Sequence, residues 1–133
     1  IFGRALLTGA PINVYGDGAQ TRDFTFISDA IQANLLAAER APAGEVFNIG
    51  GGSRISLKEV IALLEQATGH RADLHFKAAQ QGDARHTSAD ISKARDVLGY
   101  EPRVTIATGL SAEVEWLANL LQAEPQLTRK NLH

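Results

Sequence analysis

The feature that most constrains this chain is a regular alternation of short extended segments with amphipathic helical ones, punctuated by glycine and proline. Ile1 to Thr8 reads as the end of a helix, with Gly9 as its stop. Ile12-Asn13-Val14-Tyr15 alternates apolar and polar residues, the period of a strand. Gly16-Asp17-Gly18 follows as a turn. Arg22 to Ile27, aromatic and β-branched, is a second extended segment. Ser28 or Asp29 is placed to cap a helix running to about Arg40, which Ala41-Pro42-Ala43-Gly44 breaks. Val46 to Ile49 reads as a short strand ended by Gly50-Gly51-Gly52. Ser56 and Glu59 make a capping-box pattern ahead of Val60, Ile61 and Leu64, and Gly69 closes that helix. Leu74-His75-Phe76 is a further strand. Asp90 is expected to cap a helix through Leu98. A last helix from about Thr105 to Leu121 carries Ile106, Leu110, Val114 and Leu117 on one face. Strands interleaved with helices in this way predict a mixed α/β arrangement. No linker divides it. One lobe is expected over residues 1–123, with the polar, proline-containing stretch 124–133 as a flexible tail.

Composition narrows the function classes. The 133 residues suffice for one domain, and 44% hydrophobic with 21% charged residues is a globular rather than a disordered balance. A net charge of −2 gives no overall basic footprint for nucleic acid. With no cysteine, disulfides and thiolate zinc sites are excluded, which accords with a reducing cytoplasm. No apolar run approaches the ~20 residues needed to span a bilayer. The four histidines show no pair at helical metal-ligand spacing. There is no Gly-x-Ser-x-Gly elbow. Gly50-Gly51-Gly52 is not a dinucleotide fingerprint, because Ile55 stands where the third glycine would fall.

Two polar clusters remain. In Gly16-Asp17-Gly18-Ala19-Gln20-Thr21-Arg22-Asp23-Phe24, the planar cation of Arg22 suits the oxygens of a phosphate. The plainer reading is a hairpin in which Arg22 pairs with Asp17 or Asp23. In Gln80-Gln81-Gly82-Asp83-Ala84-Arg85-His86-Thr87-Ser88-Ala89-Asp90, Asp83 suits a ribose diol and Arg85 adds positive charge. The plainer reading there is a solvated loop ending in the Asp90 cap.

Taken in order, these segments resemble the extended short-chain dehydrogenase/reductase family, the UDP-sugar epimerases in particular. The resemblance rests on Ile12 to Gly18 with Gln20 to Phe24, on Val46-Phe47-Asn48-Ile49-Gly50, on Gly82 to Thr87 with Ala89 to Ala94, and on Leu98-Gly99-Tyr100-Glu101-Pro102. It covers about residues 1 to 122. The fold it implies is the C-terminal substrate-binding portion of an extended Rossmann-type epimerase. The roles it implies are a base bordered by the backbone around Asn13 and Tyr15, a diphosphate held by Arg22, and ribose hydroxyls bound by Asp83. Many family members carry a second diphosphate arginine where this chain has Gln80. A charge-assisted bond contributes about 1.5–3 kcal/mol, so its loss weakens binding about ten-fold or more unless Arg85 compensates.

The family's Gly-rich NAD loop and Tyr-x-x-x-Lys pair do not occur. Ala19 lies four residues beyond Tyr15, and Val104 four beyond Tyr100. The expectation is therefore a nucleotide-sugar-binding lobe detached from its dinucleotide-binding half. It contributes affinity and orientation but no catalytic residue, and binds no NAD by itself. The rival expectation is a non-enzymatic, self-associating protein derived from the same family. Removal of half of an α/β unit exposes apolar surface and predicts a homo-oligomer or partial unfolding, and a third expectation is a partner chain that supplies the other half.

Overall fold

The computed structural model describes residues 1–82 and 84–130, with side chains described through residue 123. The chain order is α1 (Phe2–Thr8), β1 (Ile12–Tyr15), β2 (Thr21–Asp23), α2 (Ile27–Arg40), β3 (Arg54–Ser56), α3 (Leu57–Thr68), β4 (Leu74–Lys77), a π-helical turn (Ala94–Leu98) and α4 (Ile106–Lys130). The α/β class is as the alternation predicts.

β1 pairs in parallel with β4, Ile12 opposite Leu74 and Tyr15 opposite Lys77. Parallel neighbours require a long crossover, which α2, β3 and α3 supply. Alternation along β1 buries Ile12 and Val14 and exposes Asn13 and Tyr15. The buried pair faces Leu6 of α1, Val60, Ile61 and Leu64 of α3, and Leu110 and Val114 of α4. α3 starts with the expected capping box. Ser56 Oγ accepts from the Glu59 amide, and the Glu59 carboxylate accepts from the Ser56 amide at 2.9 Å. Gly9 and Gly69 end α1 and α3 in the left-handed conformation that a Cβ disfavours.

Several elements differ from expectation. β3 was not foreseen. It pairs antiparallel with β2, Arg22 opposite Ile55, and both strands are only three residues long. α2 begins at Ile27 with Phe26 as N-cap, and no side chain caps it. Asp29 is buried instead, and its two oxygens accept from the Arg103 and Val104 amides at 3.1 Å each. Tertiary bonding has displaced the local cap. Val46 to Ile49 joins no ladder. The segment before Leu98 closes as a π turn, preceded by Asp90, whose carboxylate accepts from the Ser92 amide at 3.0 Å. α4 continues to Lys130, past the expected end at Leu121.

A second, smaller cluster gathers Ala33 of α2 with Ile91, Ala94, Leu98 and Tyr100. Above it, the segment Glu45–Phe47 is held by Lys93. Its Nζ bonds the Glu45 carboxylate at 2.6 Å and the Val46 carbonyl at 2.9 Å, and lies 4.8 Å from the Phe47 ring centroid. Among the described residues, no helix is long and apolar enough to cross a membrane.

Candidate functional site

The polar clusters predicted from sequence meet at β2. Thr21 receives the second cluster as a short parallel bridge. The Thr21 amide donates to the Arg85 carbonyl at 2.9 Å, and the Thr87 amide donates to the Thr21 carbonyl at 3.2 Å. Thr21 Oγ1 lies 2.9 Å from His86 Nδ1. Residues 85–89 thus form a strap along β2.

Arg22 lies under the strap. Its Nη1 donates to the Thr21 carbonyl at 2.9 Å and to the Arg85 carbonyl at 3.5 Å. Its side chain lines a hollow of about 200 Å³ with Gln20, Phe24, Ile55 and Leu57. Gln20 Nε2 donates to the Tyr15 carbonyl at 3.0 Å, which brings the end of β1 beside that hollow. Asn13 and Tyr15 share the exposed face of β1, with Tyr15 43% exposed.

The acidic partners proposed for Arg22 in the hairpin reading have other bonds. Asp17 Oδ2 accepts from Arg85 Nη2 at 3.0 Å. Asp23 accepts from the Gly51 amide at 2.8 Å and the Ala89 amide at 3.4 Å. Asp17 titrates below the usual carboxylate range, first because it accepts from the Ala19 amide and then because of Arg85.

Arg85 is therefore brought to the site by its backbone, while its guanidinium turns to Asp17. Gln80 is exposed and follows Ala79, whose Cβ would lie 3.8 Å from a Cβ added at Gly16. Asp83 lies outside the described residues.

Three framing residues were not among those expected to contact a ligand. Asp23 ties β2 to both the glycine run and the strap. Tyr100, fully buried, donates its hydroxyl to the Gly50 carbonyl at 2.9 Å. Burial, then the charges of Asp29 and Asp23, push the pKa of that phenol above its ordinary value. Asp29 braces the chain just beyond Tyr100. The available signal was that Asp23 and Tyr100 fall inside the Arg-Asp-Phe and Gly-Tyr-Glu-Pro motifs.

The glycine run is not a pyrophosphate cradle. It leads into β3 rather than a helix, and the Gly51 amide is already given to Asp23. A Cβ at Gly51 would run into the Phe24 carbonyl, so glycine is needed there for close passage of the chain over β2. Among the described residues there is no other glycine-rich strand-to-helix turn of the kind that cradles a dinucleotide pyrophosphate. Nor do three histidine or acidic side chains converge as a metal site among them.

A family model described as GDP-mannose 4,6 dehydratase matches residues 3–112. The chain belongs to that family, within the extended short-chain dehydrogenases/reductases. It is 41% identical over 116 residues to an uncharacterised UDP-glucose epimerase of Bacillus subtilis, covering 86% of this chain and 36% of that protein. The structure of UDP-glucose 4-epimerase from Thermotoga maritima with UDP-glucose superposes with TM-score 0.85 at 36% identity, over 90% of this chain and 38% of that one. UDP-glucuronic acid 4-epimerase from Bacillus cereus, solved with UDP-glucuronic acid and NAD, gives TM-score 0.84 at 39% identity, over 90% and 38%. The chain thus spans little more than a third of the length of these relatives.

Proposed function

We propose that this chain is the nucleotide-sugar-binding portion of an NAD-dependent UDP-sugar epimerase or dehydratase, acting in the cytoplasm and not catalytic alone. The observation that carries the reading is Arg22. It is a planar cation fixed beneath the strap, beside the exposed end of β1, in the segment that most resembles the family's diphosphate-binding arginine. Ligand sites commonly span ~300–1,000 Å³, so the Arg22 hollow acts as one wall of a larger site. Asn13 and Tyr15 border the base, Asp83 takes the ribose hydroxyls, and Gln80 supplies a neutral donor where relatives place a second cation. NAD, the hydride acceptor of the parent reaction, binds a dinucleotide-binding half. That half also supplies the base that works on the sugar hydroxyl.

Titration of the purified chain with UDP-glucose and with NAD tests this reading. UDP-glucose is expected to bind and NAD not to bind. Arg22→Ala is expected to weaken UDP-glucose binding about ten-fold or more, the effect of one lost charge-assisted bond. Tight NAD binding, or turnover by the chain alone, would overturn the reading.

One observation favours a second reading, a self-associating protein without enzymatic function. Along one side of α2, Ile27, Ile31 and Leu35 are 65%, 53% and 62% exposed. An exposed apolar stripe on a helix is a surface suited to packing against another domain or chain. Under the first reading a dinucleotide-binding half covers it. Under the second, another copy of the chain does. Arg22→Ala separates them, since it lowers ligand affinity in the first case and leaves assembly unchanged in the second.

A further inference from the structure

We infer that Asp17 is a positioning residue for the Arg22 site, acting through its ion pair with Arg85 as the latch that holds the strap on β2. The inference rests on the nucleotide-sugar reading for its ligand, but the latch itself is open to test without one.

The argument begins at the β1–β2 turn. Gly16 and Gly18 both adopt positive φ, 79° and 72°, which brings Asp17 to the tip of a tight turn. That tip is fixed from several sides. The Gly16 amide donates to the Lys77 carbonyl at 3.0 Å, and the Gly18 carbonyl accepts from the Lys58 amide at 3.1 Å at the start of α3. Asp17 Oδ1 accepts from the Ala19 amide at 3.0 Å, which orients the carboxylate and leaves Oδ2 for Arg85. The acceptor is therefore held in place before the cation arrives.

The donor sits on the strap. Arg85 reaches Asp17 across 68 positions of sequence. Its own carbonyl accepts from the Thr21 amide and from Arg22 Nη1. One residue thus joins the turn, the strap and the candidate diphosphate clamp. Freeing its side chain loosens the carbonyl against which Arg22 rests. An arginine engaged in this way is a strap anchor rather than a second diphosphate ligand, so it does not replace the charge absent at Gln80.

The pair is 64% and 58% exposed, which bounds its effect. Exposed pairs are worth little, and the corresponding change in affinity is about 1.5- to 5-fold. That is well below the effect expected at Arg22, and the two roles separate on that scale.

A charge exchange gives the test. In the ligand-free chain, amide hydrogen exchange at Thr21 and Thr87 reads the strap. Asp17→Asn and Arg85→Ala are each expected to speed exchange at both amides, and Asp17→Arg with Arg85→Asp together to restore it. With UDP-glucose as probe, the single variants are expected to bind about 1.5- to 5-fold more weakly, and the exchanged pair to bind within about two-fold of the parent. If Arg85 touches the diphosphate directly, Asp17→Asn tightens binding by freeing the cation, and the exchanged pair stays as weak as Arg85→Ala. That result overturns the latch. Unchanged amide exchange in both single variants overturns it as well. If the parent chain fails to bind UDP-glucose while the exchange pattern follows the latch, the nucleotide-sugar reading falls and the latch stands.

Discussion

The two hydrophobic clusters of this chain are finished to different degrees. Around β1 and β4, branched side chains from three helices close on Ile12 and Val14, and the layer is complete on that side. Around α2 the buried members include Ala33 and Ala94, while the large residues Ile27, Ile31 and Leu35 of the same helix face outward. A helix that buries Ala33 and exposes Ile27, Ile31 and Leu35 is packed on its minor face. The contrast teaches that the first cluster is closed by large side chains, while the second leaves the large apolar side chains of α2 exposed. Burial of one large aliphatic side chain is worth about 1.5–3 kcal/mol, so three exposed in a row are a strong drive toward association.

The largest effect that sharpens this contrast is expected at Leu64. Leu64→Ala should lower unfolding stability by about 2–5 kcal/mol in urea, through lost burial and the cavity left behind. Leu35→Ala should change it by no more than about 0.5 kcal/mol while reducing self-association in light scattering. Equal effects at the two leucines would break the comparison.

A smaller loss, about 1.5–3 kcal/mol, is expected for Asp29→Ala. It leaves the Arg103 and Val104 amides without the carboxylate that joins α2 to the start of α4. Urea denaturation measures it.

The smallest effect is a matter of pH. The Ser56 hydroxyl, then the Ser56 amide, hold the Glu59 carboxyl below its ordinary value. A depressed carboxyl stabilises the fold at neutral pH, and that contribution fades as pH falls through the acid range and Glu59 protonates. Glu59→Gln should make the acid limb of a stability-against-pH curve shallower, and an unchanged limb would deny the capping box its role.

Much of the first region was legible in sequence because its signals are local. The β1 alternation, the Ser56–Glu59 box and the glycines after α1 and α3 each act within one or two turns of chain. The second region was less legible because its structure is set by distant partners. Asp29 reads as a cap by position, but the amides it meets belong to residues far along the chain. Val46 to Ile49 has the composition of a strand and is held by Lys93, yet no ladder neighbour lies beside it. β3 was missed because three residues carry too short a pattern to distinguish. At the site, Arg22 stands out in the sequence because of its motif. The bonds of Asp17 and Arg85 were not, since nothing in sequence spacing says which cation a turn carboxylate will meet.

Backbone-amide NMR of the chain during titration with UDP-glucose tests the central claim most directly. Shifts are expected at Asn13, Tyr15, Arg22 and Arg85, with Ile27, Ile31 and Leu35 unmoved. Saturating UDP-glucose that leaves β2 and the strap unchanged, or that perturbs the α2 stripe instead, would contradict the assignment of nucleotide-sugar binding to Arg22.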